Sequence, residues 1–136
     1  MKLIAKRADD IVVIDVFGEI NIQSVNQLKR SIEMIIEHGI CKVVLNLKPT
    51  DYIDSVGMGT LVGLEKKLLK LEGELCLVGV QPNILKAFEM VRLKKMFKQF
   101  DTKKDAVKYF KGDTAKSKNN IVDILAEAKD ILGLDN

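Results

Sequence analysis

Residues 42–60, KVVLNLKPTDYIDSVGMGT, decide the fold class of this chain. Residues 42–47 are mostly apolar and rich in β-branched side chains, which is typical of a central strand covered on both faces. A turn at Pro49 follows, and leucines spaced three and four apart over 56–72 predict an amphipathic helix that ends at Gly73. A buried strand followed by a helix is the building unit of an α/β fold with a parallel sheet.

The flanking sequence continues this alternation in both directions. Further strands are predicted at 3–7, 11–17, 75–80 and 96–100. Further helices are predicted at 22–37, from 82 onward and at 102–110. Asn21 is the expected N-cap of the first helix, with Ile22 on its inner side. We therefore expect one α/β domain over 1–110, in which helices pack on a mixed sheet with parallel central strands and an antiparallel edge hairpin.

The sequence changes character after residue 110. Residues 111–120, KGDTAKSKNN, are small and polar and predict a linker, whereas 121–133 carry an apolar stripe that predicts an extra C-terminal amphipathic helix. An isolated helix of this length is only marginally stable in water, so the stripe needs a surface to pack on. The sequence leaves three surfaces open: the same domain, a second copy in a homodimer, and a different partner.

Composition excludes several classes of function. The 136 residues carry 22 Lys and Arg against 19 Asp and Glu, and the net charge of +3 is low for a dedicated nucleic-acid-binding protein. No apolar run is long enough for a membrane span, and the charged first ten residues do not resemble a secretion signal, so we expect a cytoplasmic protein.

His38 is the only histidine, which leaves no Ser-His-Asp or Cys-His pair and no His-rich metal site. Cys41 and Cys76 lack CxxC spacing and lie in apolar runs, where buried thiols are expected. We therefore predict no enzyme, no cofactor and no metal.

Residues 54–60, DSVGMGT, form the candidate functional segment. They follow a strand and begin a helix, and Gly57 and Gly59 in the first turn each lower helix propensity by about 1 kcal/mol. Glycines at such a place allow a partner chain or a phosphate to approach the backbone closely. Ser55 lies at or next to the N-cap, where its hydroxyl either satisfies a backbone N–H or serves as a phosphorylation site. The spacing fits neither a Walker loop, a dinucleotide fingerprint nor a GxSxG nucleophile elbow.

Residues 54–60, together with two other segments, resemble the signature of the STAS domain and, within that family, of the bacterial anti-sigma-factor antagonists. VFGEIN at 16–21 is similar to the family's Gly-Glu-Leu/Ile-Asp turn after the second strand. VVLNL at 43–47, followed by YIDSVGMG at 52–59, is similar to its D-S-[ST]-G-[LM]-G element, and a late helix at 84–97 also matches. The resemblance covers roughly residues 1–110 and implies a STAS-like fold.

This resemblance implies a partner switch. Antagonists of this kind bind an anti-sigma factor that is also a serine kinase, and the kinase phosphorylates the serine after the motif's Asp, here Ser55. Phosphorylation breaks the complex and a serine phosphatase restores it, so the unphosphorylated form frees a sigma factor. The implied partner-binding residues are Asn21, Asp54, Ser55, Val56, Gly57, Met58, Gly59 and Thr60.

Two positions depart from the family pattern. Asn21 stands where the family usually has Asp, which removes a charge, and Val56 replaces the usual Ser or Thr, which leaves Ser55 as the one phosphosite of the motif. Two other functions stay open on the sequence. One is a STAS scaffold, an interaction subunit of a stressosome or a lipid-transport complex that phosphorylation does not switch. The other is a small-molecule or nucleotide binder that holds an anion at the helix start.

Overall fold

Five strands form one mixed sheet in the order of the sequence. The computed structural model describes residues 1–112, and its strands are β1 (Lys2–Ala8), β2 (Ile11–Phe17), β3 (Lys42–Asn46), β4 (Glu74–Val78) and β5 (Lys98–Phe100). β1 and β2 pair antiparallel, whereas β2 to β5 pair in parallel in the order β2-β3-β4-β5. The predicted mixed sheet, with parallel central strands and an antiparallel edge hairpin, is therefore confirmed.

In the part of the chain that the structure describes, four helices cover this sheet on two sides. They are α1 (Val25–Glu37), α2 (Ser55–Lys70), α3 (Pro82–Met90) and α4 (Lys103–Phe110). α1, α2 and α3 pack on one face, and α4 packs on the other. Each helix follows the carboxyl end of a strand, so the helix starts gather at one edge of the sheet. Within residues 1–112, no helix has the length and hydropathy of a membrane span. The described residues end at Gly112. The C-terminal helix predicted at 121–133, and all but the first two residues of the linker predicted at 111–120, therefore lie outside them.

The core consists of two aliphatic layers, because side chains of successive strand residues point to opposite faces. The larger layer lies under α1, α2 and α3 and takes Val12, Ile14 and Val16 from β2, Val43 and Leu45 from β3, and Leu75 and Leu77 from β4. The smaller layer lies under α4 and contains Ile11, Val44, Cys76, Val78, Phe100 and Ala106. Cys76 is thus buried as predicted, while the free thiol of Cys41 is half-buried.

The start of α1 differs from the prediction. Asn21 does not cap the helix: its Oδ1 accepts hydrogen bonds from the N–H groups of Gln23 and Ser24, at 2.9 and 3.1 Å, and closes a separate turn. Ser24 occupies the N-cap position. Ile22, expected on the inner side, is 66% exposed because it lies in this turn. The local side-chain-to-backbone bonds of Asn21 therefore prevail over the helical spacing.

The far end of α2 also departs from the pattern. The helix ends at Lys70, so Leu71, counted in the apolar stripe, is 48% exposed. Glu65 is buried instead, and its Oε1 accepts the N–H of Leu75 at 3.1 Å. β5 begins opposite Cys76 and extends no further toward Leu75, so the glutamate takes the place of a strand partner there.

Candidate functional site

Two loops meet at the edge of the sheet where the helices begin. Ile20, after β2, forms a parallel bridge with Ile53, after β3. The N–H of Ile20 donates to the carbonyl of Tyr52 at 3.0 Å, and the N–H of Asp54 donates to the carbonyl of Ile20 at 3.1 Å. These bonds extend the parallel β2-β3 pairing past the strand ends. The segment 54–60 is therefore attached to the turn that contains Asn21.

Asp54 is the N-cap of α2 and also holds the neighbouring turn. Its Oδ1 accepts the N–H of Gly57 at 2.7 Å, and its Oδ2 accepts the N–H of Ile22 at 3.0 Å. The carboxylate thus satisfies one N–H at the helix start and one in the other loop. Because Asp54 is the cap, the alternative in which the Ser55 hydroxyl satisfies a backbone N–H is not what the structure shows.

Ser55 is the first residue of α2, and its side chain is exposed. Within residues 1–112, no hydrogen bond engages its hydroxyl. The hydroxyl lies at the positive end of the helix dipole, where an added phosphate is electrostatically tolerated. Its position next to the N-cap agrees with the sequence analysis, and its exposure meets the first requirement of a phosphorylation site.

The two glycines of the segment have different roles. Gly57 is buried, and a Cβ at this position would lie 2.7 Å from the carbonyl oxygen of Ile20 and 2.8 Å from Cγ1 of Ile53. Gly57 therefore lets α2 pack against the bridged loop residues Ile20 and Ile53, and the expectation that it clears space for a partner was wrong. Gly59 is exposed, and a Cβ there would meet nothing within 4 Å. Only Gly59 fits the expected clearance.

Exposed apolar side chains lie next to Ser55. Val56 follows it directly and is 42% exposed, while Tyr52 in the same loop is 48% exposed. Ile22, which Asp54 ties to this edge, is the most exposed of the three at 66%. Ile22 and Tyr52 were not predicted as site residues, although asparagine favours Asx turns and Asn21 was therefore a signal that Ile22 precedes the helix. Clustered exposed apolar side chains are typical of a protein-protein contact.

An open groove of about 480 Å³ runs from this edge between α1 and α2. Its lining combines small, apolar and charged residues: Lys29, Glu33, Val56, Gly59, Thr60, Gly63, Leu64 and Lys67. A Cβ on Gly63, as on Gly59, would meet no atom within 4 Å, so the two glycines open the α2 side of the groove. Lys67 forms a salt bridge with Glu33 of α1 at 3.3 Å. The groove is a surface that sequence reasoning did not identify beyond Thr60.

The predicted partner-binding residues thus divide into exposed ones and ones engaged within the protein itself, which include Asp54 and Gly57. Ser55, Val56, Gly59 and Thr60 face the exposed edge or the groove, whereas Met58 packs partly into the core. Asn21 lies beside the segment, but its side chain bonds within its own turn and donates to Glu19 at 3.2 Å rather than to residues 54–60.

The site presents an exposed hydroxyl beside the α1-α2 groove. Across residues 1–112, no group of three His, Cys, Asp or Glu side chains is placed to hold a metal ion. The Asp54 carboxylate, the acidic group next to Ser55, is occupied by two backbone N–H groups.

Similar proteins place this site in a family. The model of the STAS domain matches residues 2–106. The chain is 31% identical over 86 residues to the anti-sigma-B factor antagonist of Staphylococcus aureus, covering 63% of this chain and 80% of that one. It is 28% identical over 111 residues to BtrV of Bordetella bronchiseptica, which is named as an anti-sigma factor antagonist, covering 82% of this chain and 96% of that one.

A solved structure agrees at the level of the fold. The anti-sigma factor antagonist SpoIIAA in its unphosphorylated form superposes with a TM-score of 0.67 at 24% identity, covering 82% of this chain and 99% of SpoIIAA. Its phosphorylated form from Bacillus superposes with a TM-score of 0.64 at 23% identity, covering 80% and 99%. With the family match over residues 2–106 and the identity to the staphylococcal antagonist, the chain belongs to the STAS domain family and, within it, to the anti-sigma factor antagonists, which are regulators rather than enzymes.

Proposed function

We propose that this protein is a cytoplasmic antagonist that phosphorylation of Ser55 switches off. In the unphosphorylated form it binds an anti-sigma factor that is also a serine kinase, and this binding frees a sigma factor. The kinase phosphorylates Ser55 and the complex dissociates, and a serine phosphatase returns the protein to its binding form.

The observation that carries the proposal is the exposed Ser55 hydroxyl at the start of α2, with no hydrogen bond to it from residues 1–112. A kinase must bring the γ-phosphate of ATP to this oxygen, so the hydroxyl has to be accessible and unengaged. Asp54 fixes the backbone on one side of the serine through Gly57 and Ile22. The hydroxyl is therefore presented from a rigid helix start.

The same geometry explains how a phosphate would act as a switch. Phosphorylation adds about −1.5 to −2 charges at the protein surface. The N-terminus of α2 tolerates this charge, so the fold is retained. In the complex, the new phosphate would face the phosphates of the nucleotide held by the kinase, and repulsion between like charges favours dissociation.

The partner surface that we propose combines two parts. Ser55, Val56, Gly59 and Thr60 contact the partner at the edge and in the α1-α2 groove, with Ile22 and Tyr52 as apolar anchors beside them. Asn21, Asp54, Gly57 and Met58 hold this surface in place through the bonds and packing described above. The existence of SpoIIAA structures in phosphorylated and unphosphorylated forms supports a phosphorylation switch in this family.

A paired capture experiment tests the proposal. Wild-type protein and the variants Ser55→Ala and Ser55→Asp serve as baits in native lysate supplemented with Mg-ADP, and mass spectrometry identifies the bound proteins and any phosphate on Ser55. We expect wild type and Ser55→Ala to capture an ATP-binding kinase that Ser55→Asp does not capture. If all three baits retain the same partners, Ser55 is not a switch and a scaffold function replaces the proposal.

A further inference from the structure

The sheet is covered unevenly on the side of α4. β2 buries Val12, Ile14 and Val16 on the opposite face, with exposed fractions of 6%, 1% and 0%. On the α4 side, Phe17 at the end of the same strand is 38% exposed, and Ile4 of β1 is 37% exposed. α4 packs on Ile11 at the start of β2 and on Val44, Cys76, Val78 and Phe100 of the other strands, and within residues 1–112 β1 contributes nothing to this buried layer.

Three apolar side chains on this face surround Asp15, whose carboxylate accepts from Asn46 and Lys103. Ile4 pairs with Asp15 in the antiparallel register, so Val13 and Phe17 are its diagonal neighbours on β2. Val13 is half-buried against the layer under α4. We call Ile4, Val13 and Phe17 the open strip. Lys2 and Lys6, on the same face of β1, flank it, and neither forms a salt bridge within the described part of the chain.

The described chain ends beside this strip. α4 ends at Phe110, and the next residue, Lys111, forms a salt bridge of 3.4 Å with Asp9 in the turn between β1 and β2. Residues 113–120 are eight residues long, which spans up to about 26 Å when extended. β1 has seven residues and is therefore about 23 Å long. A following segment can reach any point of the strip.

The sequence of 121–132 matches the strip in length, apolarity and charge. As a helix, its twelve residues would be about 18 Å long, close to the length of the strip. Its apolar positions follow helical spacing: Ile121, Ile124, Leu125, Ala128, Ile131 and Leu132. Outside the stripe it carries Asp123, Glu127 and Asp130 against one lysine, which complements Lys2 and Lys6.

We propose that residues 121–132 form a helix whose apolar stripe packs on the open strip of the same chain, next to α4. This helix would complete the second helical layer, which α4 leaves open over β1 and over the carboxyl end of β2. It lies on the face of the sheet opposite the α1-α2 groove, so it does not compete with a partner at Ser55. The inference stands independently of the proposed function.

The chain contains no tryptophan, so an introduced indole gives an unambiguous fluorescence signal. We would place tryptophan in the full-length chain by Leu125→Trp, on the stripe, and by Ala126→Trp, on the opposite face of the same helix. We expect emission at shorter wavelength from Leu125→Trp than from Ala126→Trp, unchanged on dilution. Equal emission maxima at the two positions would overturn the proposal.

A second substitution in the Leu125→Trp protein identifies the surface. Phe17→Lys should shift the emission to longer wavelength, and the milder Ile4→Ser should shift it partly. Met34→Lys on α1, where the native side chain is 59% exposed on the other side of the sheet, should leave it unchanged. Circular dichroism checks that each variant is folded. If Phe17→Lys does not fold, the emission shift of Ile4→Ser alone decides whether the segment packs on the open strip.

Two results would assign the stripe to another surface. A short-wavelength emission that is lost on dilution, together with a doubled mass in size-exclusion chromatography, would show that a second copy provides the surface. An emission that neither Phe17→Lys nor Ile4→Ser changes would show that the segment packs elsewhere. Each result contradicts docking on the open strip of the same chain.

Discussion

Asp54 and Ile22 are joined by a hydrogen bond of 3.0 Å between a carboxylate oxygen and a backbone N–H, although 32 positions separate them in the sequence. The other carboxylate oxygen caps α2 through Gly57 at 2.7 Å. One side chain therefore fixes the start of α2 and the turn before α1 relative to each other. The exposed residues of both loops, Ser55 and Ile22, become parts of one surface as a result.

Loss of the Asp54 carboxylate should destabilise the fold as well as the site. Asp54→Ala removes a helix cap and a bond between loops, and we expect the free energy of unfolding to fall by about 1–2 kcal/mol. Asp51→Ala, an exposed carboxylate three residues earlier, should change it by less than about 0.5 kcal/mol. Urea denaturation of both variants measures the difference. Equal midpoints would show that the Asp54 bonds do not stabilise the protein.

Gly57 and Gly59 should respond in opposite directions to the same added methyl group. Gly57→Ala would place a Cβ 2.7 Å from the carbonyl oxygen of Ile20, so we expect a loss of about 1–3 kcal/mol in the free energy of unfolding. Gly59→Ala adds a methyl in open space within a helix, and we expect a gain of about 0.5–1 kcal/mol.

Gly59→Ala also tests the partner surface, because the new methyl group would project at the edge of the α1-α2 groove. Gly59→Ala should therefore weaken capture of the anti-sigma kinase while it raises the thermal midpoint. Calorimetric unfolding and the capture experiment together separate these effects. A more stable Gly59→Ala protein with undiminished capture would exclude Gly59 from the interface.

The order of strands and helices could be predicted from the sequence, because the spacing of apolar residues shows which side chains are buried and whether they lie on a strand or on a helix. The roles of individual site residues could not be predicted in the same way. Ile22 has the spacing of a buried helix residue, yet the Asn21 turn and the Asp54 bond place it outside. Gly57 was expected to leave space for a partner. The structure shows that the backbone of Ile20 occupies this space, and the sheet pairing that brings Ile20 there is not visible in the local sequence.

Ile22 should be important for binding and unimportant for stability. It is 66% exposed, so Ile22→Ser is expected to change the free energy of unfolding by less than about 0.5 kcal/mol. If its side chain is an apolar anchor of the partner, affinity should fall about tenfold. Met90→Ser, at a residue 78% exposed at the end of α3, is the matched control and should retain wild-type affinity. An unchanged affinity for Ile22→Ser would restrict the interface to α2 and the groove.

Glu65 gives the stability of the protein a pH dependence near neutrality. Burial raises the pKa of this carboxyl from 4.5 to about 7, the bond from the Leu75 N–H lowers it in part, and the charge of Glu74 raises it further. The folded protein therefore holds the proton more tightly than the unfolded chain does. The corresponding stabilisation is complete below pH 4.5 and is lost as the pH rises through 7.

Glu65→Gln should remove this dependence, because the amide oxygen can still accept the Leu75 N–H and carries no charge to bury. The shift corresponds to roughly 3 kcal/mol at most between the two limits, so we expect the variant to exceed wild type in stability at pH 8 by up to that amount. At pH 4.5 the two proteins should be similar. The bond from Lys42 lowers the pKa of Asp10. Desolvation raises the pKa of Asp15, but bonds from Asn46 and Lys103 outweigh it and lower that pKa overall. Both carboxyls therefore affect stability only at more acidic pH. Denaturation midpoints of both proteins at several pH values between 4.5 and 8 measure the effect. Parallel curves across this range would show that Glu65 is ionised in the folded protein at neutral pH, with solvent or a rearranged neighbour compensating its charge.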